Sequence, residues 1–188
     1  MDARTEDPLF RTVDGALLFS LNYAHGQVRQ VPLAQLVGGA AKGRGLGGLD
    51  GAAQAGMIRA ELMRLHPLRR AILTARFAAP TTPCACRSPC CRGYRESAEW
   101  AEAVETVVEA ALRAAAAGTI SHYQLRRALV GRYFGVRVSF IEVASRCKVN
   151  RDTASDYYRR MTDWLKREEK LARYEIEDHL RQAGVVEA

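Results

Sequence analysis

The chain has 188 residues, of which 48% are hydrophobic and 26% charged, a balance typical of a globular protein with an ordinary core. Its formal net charge of +7 favours an anionic partner, most often nucleic acid. No apolar run approaches the roughly 20 residues of a membrane-spanning helix, and the N-terminus is too polar for a signal peptide, so we expect a cytoplasmic protein with no membrane partner.

The first region, residues 1–79, is predicted to be helical with one interruption. Glycine recurs so often over 38–50 that we predict a loop there, which carries basic residues. Residues 51–65 have apolar side chains at helical spacing, and Pro67 should end or kink that helix. A second helix is expected over the following residues, up to about Phe77.

A cysteine-rich segment, residues 80–96, follows. Four of the five cysteines of the chain fall within eight positions, and disulfides rarely persist in the cytoplasm. Four thiolates are the number that a closed structural zinc site needs, so we expect Zn²⁺ to be bound by Cys84, Cys86, Cys90 and Cys91. Three alternatives stay open: an iron–sulfur site, thiols without metal, or a mixed site in which one ligand is replaced by His66, His122 or Cys147. Cys147 on its own is more typical of a small buried hydrophobe.

The last region, residues 97–184, is predicted to be a helical domain. Ser97 can cap a long helix, and Ser139 with Glu142 forms a capping box at the start of a short one. Asn150 can cap a final helix that begins at about Arg151 and runs to about Gln182. The sequence therefore predicts an all-α fold with a small zinc-binding loop.

Residues 139–166 have the pattern of a helix-turn-helix. Ala144 is small enough to let two helices approach, and Val149 is the apolar residue of the turn. Ala154, Tyr158 and Met161 should form the inward face of the second helix. Glycine is usual at the turn position that Lys148 occupies, which predicts a positive φ at a lysine.

In a helix-turn-helix, the second helix enters the major groove with its first residues near base edges. The outward positions suited to bases are Arg151, Asp152, Ser155, Asp156 and Arg159. Phosphate contacts are expected from Lys148, Thr153, Arg160 and Arg137, and Asn150 lies at the same helix start. The alternative is a helical hairpin with a solvated charged face, or one whose aspartates contact a protein.

No enzyme is expected. The stretch "GRGLGG" matches a dinucleotide-binding fingerprint, but no strand precedes it and no βαβ unit surrounds it. The four histidines form no catalytic spacing with acidic residues. An enzyme that uses the glycine-rich loop or the thiols is the weaker alternative.

Three segments carry a family resemblance: "AKGRGLGGLDGAAQAGMI", "CACRSPCCRGYRESAEW" and "GTISHYQLRRALVGRYFGVRVSFIEVASRCKVNRDTAS". They resemble phage and prophage late-gene antitermination proteins, the Q antiterminators, over about residues 15–170. The helix-turn-helix also resembles the promoter-binding region of bacterial sigma factors. The resemblance implies a protein that binds double-stranded DNA near a phage late promoter, engages bacterial RNA polymerase and suppresses pausing and termination. The alternative is a repressor or activator of initiation, acting as a homodimer through the same helices.

Overall fold

The computed structural model describes residues 9–23, 48–84, 86, 92–114 and 122–187. The described residues are predominantly helical, which confirms the predicted all-α class, and no described helix is long and apolar enough to cross a membrane. The elements are α1 (Val13–Asn22), α2 (Gly48–Arg64), α3 (Pro67–Phe77), β1 (Thr81–Pro83), β2 (Tyr94–Glu96), α4 (Ala98–Ala114), α5 (Tyr123–Tyr133), α6 (Phe140–Cys147) and α7 (Arg151–Gln182).

The chain forms two compact units that do not follow the predicted division into 1–79, 80–96 and 97–184. Unit 1 comprises Met1–Leu65, Phe77–Ala79 and Arg173–Ala188, and unit 2 comprises His66–Arg76 and Pro80–Ala172. The difference arises at α3 and α7, each of which contributes residues to both units.

Unit 1 is built around α1, which is almost completely buried although it has only ten residues. The amide nitrogen of Asn22 donates to the carbonyl of Phe77 at 2.9 Å, and its amide oxygen accepts from the Ala79 N–H at 2.9 Å. Arg173 forms an ion pair with Asp14, and its guanidinium lies 5.1 Å from the centre of the Phe77 ring. The last turns of α7 are therefore fixed to residues distant in the sequence.

Unit 2 has one continuous apolar core to which α3, α4, α5, α6 and the first turns of α7 contribute. Ser97 caps α4 as predicted, since its hydroxyl accepts from the Trp100 N–H at 3.5 Å. The Trp100 indole in turn donates to the carbonyl of Ala75 at 3.1 Å. The largest fully buried side chains of this core are Ile72, Leu125, Leu129, Met161 and Leu165.

A buried polar group, which we call the Glu169 cluster, joins α3, α5 and α7 within unit 2. Arg76 donates from Nε and Nη2 to both oxygens of the Glu169 carboxylate, and the shortest of these hydrogen bonds measures 2.7 Å. The Tyr133 hydroxyl donates to Glu169 Oε2 at 2.7 Å, and the Arg76 guanidinium lies 4.6 Å from the centre of the Tyr133 ring. This cluster therefore fixes the middle of α7 to two other helices.

The predicted glycine-rich loop over 38–50 is wrong at its end. Helix α2 begins at Gly48, so residues 48–50 are helical, while residues 38–47 lie outside the described part of the chain. A glycine in a helix costs only about 1 kcal/mol, which a long helix with a buried face can offset. Asp50 in the first turn also complements the helix dipole.

The cysteine-rich segment is flanked by a short antiparallel pair of strands that the sequence analysis missed. Thr81 pairs with Glu96 and Pro83 with Tyr94. The Cys84 N–H extends this pairing by donating to the carbonyl of Gly93 at 2.8 Å. Gly93 has a positive φ of 81°, which glycine adopts without strain. The two ends of the cysteine-rich segment are thus held side by side.

Candidate nucleic-acid interface

The start of α6 has the predicted capping box. The Ser139 hydroxyl accepts from the Glu142 N–H at 3.1 Å, and the Ser139 N–H donates to the Glu142 carboxylate at 2.8 Å. The hydrogen bond from the Ser139 backbone, and to a smaller extent the one with its side chain, hold the pKa of Glu142 below its usual value. Both residues are exposed, so the start of this short helix is defined by its own side chains rather than by burial.

The connection between α6 and α7 consists of residues 148–150. Lys148 adopts the left-handed conformation with φ 54°, as predicted. The Val149 N–H donates to the carbonyl of Ala144 at 3.0 Å, and the Asn150 side chain accepts from the Asp152 N–H at 2.9 Å. The turn is therefore tight, and a side-chain cap begins α7 at the predicted residue.

Replacing Lys148 with glycine is expected to raise the free energy of unfolding by about 0.5–1 kcal/mol, because glycine adopts a positive φ without the strain of a Cβ atom. Urea unfolding monitored by circular dichroism measures the change. Arg146→Gly is the matched control within α6, where replacement of a long basic side chain by glycine should destabilise the protein by a similar amount. Equal destabilisation by both variants would contradict the strained turn.

The face of α7 directed into unit 2 is the predicted one. Ala154 and Met161 are buried, as are Val143 and Cys147 of α6. Ala144 is 6% exposed, which agrees with its expected role as a small residue between helices. Cys147 is 4% exposed, as expected of a small hydrophobic residue. Half-buried residues that pack against this core include Val149, Tyr157 and Tyr158.

The opposite face of the first turns of α7 is polar and exposed. Asp156 and Arg159 form an ion pair at 3.2 Å, with both side chains more than half exposed. Thr153 differs from the other predicted DNA-binding residues because it is partly buried. The predicted residues that the structure places in solvent are Lys148, Asn150, Arg151, Asp152, Ser155, Asp156, Arg159 and Arg160. Their exposure leaves them accessible to a partner.

A concavity of about 570 Å³ lies at the start of α6 and is lined by three arginines; we call it the arginine concavity. Arg132 comes from α5, Arg137 from the α5–α6 connection and Arg151 from the first residue of α7. The remaining lining residues are Val138, Ser139, Phe140, Ile141 and Glu142. Three guanidinium groups and one carboxylate give the concavity a net positive charge.

Arg132 is a part of this surface that the sequence analysis missed. Its guanidinium donates to the carbonyl of Val138, lies 4.5 Å from the centre of the Phe140 ring and 5.5 Å from that of Tyr158. These contacts hold the α5–α6 connection against the start of α6. The sequence gives no periodic signal for them, because Arg132 lies in a different helix.

The structure describes two of the four predicted zinc ligands. Cys84 is partly exposed and Cys86 exposed, whereas Cys90 and Cys91 lie outside the described residues. Within the described part of the chain, no three His, Cys, Asp or Glu side chains are grouped as metal ligands would be. In two of the alternative ligands, one ring nitrogen is already hydrogen-bonded to a backbone N–H. His122 Nδ1 accepts from the Leu125 N–H at 3.2 Å, and His66 Nδ1 accepts from the Leu68 N–H at 3.4 Å.

No family model, curated protein or solved structure matches the chain. The dinucleotide-like "GRGLGG" lies outside the described residues except for its last glycine, which begins α2.

Proposed function

We propose that the chain is a sequence-specific DNA-binding regulator of transcription in which α6, the turn and the first turns of α7 act as a helix-turn-helix. The observation that carries this proposal is a tight turn between two capped helices: Ser139 caps the start of α6 and Asn150 the start of α7. The first turns of α7 also have one buried apolar face and one exposed polar face. A helix pair of this kind presents the start of its second helix to the major groove.

Two kinds of contact are proposed for α7. Ser155 and Arg159 lie one turn apart on the exposed face and are placed to read base edges, Arg159 as a two-point donor to guanine. Arg160 of α7 and Lys148 of the turn before it, both exposed, are proposed to contact phosphates. Without DNA, Arg159 forms an exposed ion pair with Asp156, which contact with a base would replace.

We further propose that the bound protein engages bacterial RNA polymerase as a transcription antiterminator in the cytoplasm of a bacterial host cell. This step is supported by the sequence resemblance to the Q antiterminators. The alternative is a homodimeric repressor or activator of initiation. It is supported by two exposed apolar side chains of α7, Leu171 at 48% and Tyr174 at 72%, which a second copy could cover.

A purified transcription reaction with a terminator downstream of the promoter separates these two functions. An antiterminator increases the fraction of transcripts that pass the terminator at an unchanged initiation rate, whereas a repressor or activator changes initiation alone. An Arg159→Ala protein serves as the control for DNA binding. A chain that changes only initiation, and sediments as a dimer, would replace the antiterminator proposal by the alternative.

We also propose that the cysteine-rich segment binds one structural Zn²⁺ through Cys84, Cys86, Cys90 and Cys91. The proposal is supported by the pairing of Cys84 with Gly93, which holds together the two ends of the segment that contains all four thiols. Four thiolates satisfy the tetrahedral preference of zinc and leave no position open for catalysis.

The zinc proposal predicts about one Zn²⁺ per chain after purification, as measured by mass spectrometry of the metal. Removing it with a chelator should lower the melting temperature, because binding energy of a structural metal is also folding energy. Cys84→Ser should lose the metal, whereas Cys147→Ala should keep it, since Cys147 is buried in the core. A chain that carries no zinc and has four reactive thiols would contradict the proposal.

A further inference from the structure

The arginine concavity brings together donors from three separate elements of unit 2. Arg132 is held by Val138 and Phe140, so its position is fixed before any ligand arrives. Arg137 and Arg151 are exposed, and neither has a carboxylate partner among the residues that the structure describes. Two cationic side chains thus line one depression without an ion-pair partner among the described residues, since the Glu142 carboxylate, which also lines it, accepts from the Ser139 N–H.

The start of α6 adds backbone donors to the same depression. The capping box engages the N–H groups of Ser139 and Glu142. Phe140 and Ile141 also line the concavity, and their N–H groups have no acceptor within α6 because they belong to its first turn. Amides at a helix start together with arginines favour an anion with several oxygen atoms.

We propose that the arginine concavity binds one backbone phosphate of double-stranded DNA, and that Arg151 therefore contacts phosphate rather than a base. The inference rests on the proposed DNA-binding function and refines it. A guanidinium fork and helix amides match the oxygen atoms of a phosphate. Arg151 is the first residue of α7, so a phosphate held there fixes the depth and angle at which α7 enters the groove.

Arg151 could instead read a base. DNA in which single phosphates are replaced by neutral groups distinguishes phosphate contact from base reading. A duplex selected from a random pool by the intact chain is synthesised with one methylphosphonate at a time. At one position, the neutral phosphate should weaken binding of the intact chain by about tenfold, the effect of losing one charge-assisted hydrogen bond. Arg137→Ala and Arg151→Ala should each bind more weakly and be insensitive to the substitution at that position.

Two further readouts belong to the same experiment. In each variant the negative slope of log affinity against log salt should become shallower by about 0.9, as expected for one lost phosphate contact. The preferred bases should stay unchanged. Arg113→Ala, an exposed arginine in the last turn of α4, is the control and should change neither.

The inference is overturned if both variants respond to every methylphosphonate as the intact chain does. It is also overturned if Arg151→Ala changes the preferred base at a position of the site. Both results leave the DNA-binding proposal intact. If the intact chain selects no duplex at all, the DNA-binding proposal fails and the inference fails with it.

Discussion

Replacing Glu169 with alanine is expected to lower the free energy of unfolding by about 3–5 kcal/mol, because it leaves a buried guanidinium without its anion. The Glu169 side chain is 11% exposed and that of Arg76 is 21% exposed, so water can compensate for little of the loss. Burial alone would lower the pKa of Arg76, but its hydrogen bonds to Glu169 raise it. Burial, followed by the hydrogen bond to Glu169, raises the pKa of Tyr133. Arg76 and Tyr133 therefore both keep their protons at any physiological pH.

Urea unfolding of Glu169→Ala measures this effect, with Lys170→Ala as the control because Lys170 is the exposed neighbour in the same helix. The double variant Arg76→Met with Glu169→Leu should recover much of the lost stability, since apolar replacement of a buried ion pair is often close to neutral. A Glu169→Ala protein within about 1 kcal/mol of the parent would mean that the pair is hydrated, as exposed pairs are.

Replacing Arg159 with alanine is expected to reduce affinity for the selected DNA site by about 10- to 100-fold, as removal of a two-point contact to a base does. The side chain is 72% exposed, and among the described residues it pairs with Asp156, which is 59% exposed, so the melting temperature should not change. Preference at one base pair of the site should also be lost, because a base contact carries sequence information and a phosphate contact does not.

Fluorescence anisotropy with the selected duplex and with single-base variants of it measures both properties. Arg167→Ala is the matched control, since Arg167 is also exposed on α7 but lies two turns further from the helix start. Unchanged affinity of Arg159→Ala, with intact binding by the parent chain, would remove Arg159 from the interface and with it the proposed orientation of α7.

Local signals predicted much of the fold around the candidate interface. Asn150 and Gln182 bound α7 in the structure as they do in the sequence pattern, because a cap and a following glycine are encoded within a few residues. The capping box of Ser139 and the buried position of Ala154 were predicted for the same reason. Each depends on neighbours along one helix, so one segment of sequence contains the whole signal.

The parts that were missed depend on residues far apart in the chain. Arg76 and Glu169 are separated by 93 positions, and charged residues in helices are ordinarily predicted to be exposed. Strands β1 and β2 have three residues each, too few for an alternating pattern, and their pairing joins segments on either side of the cysteines. The arginine concavity likewise requires that α5 and α7 meet at the start of α6, which no single segment encodes.

Binding of the intact chain to its selected duplex over a range of salt concentrations tests the central claim most directly. We predict that log affinity falls linearly and steeply with log salt, because each neutralised phosphate releases bound counterions. The slope should correspond to several phosphate contacts and should become shallower in Arg137→Ala. An affinity that does not change with salt, or the absence of any duplex that the chain selects, would contradict DNA binding by α6 and α7.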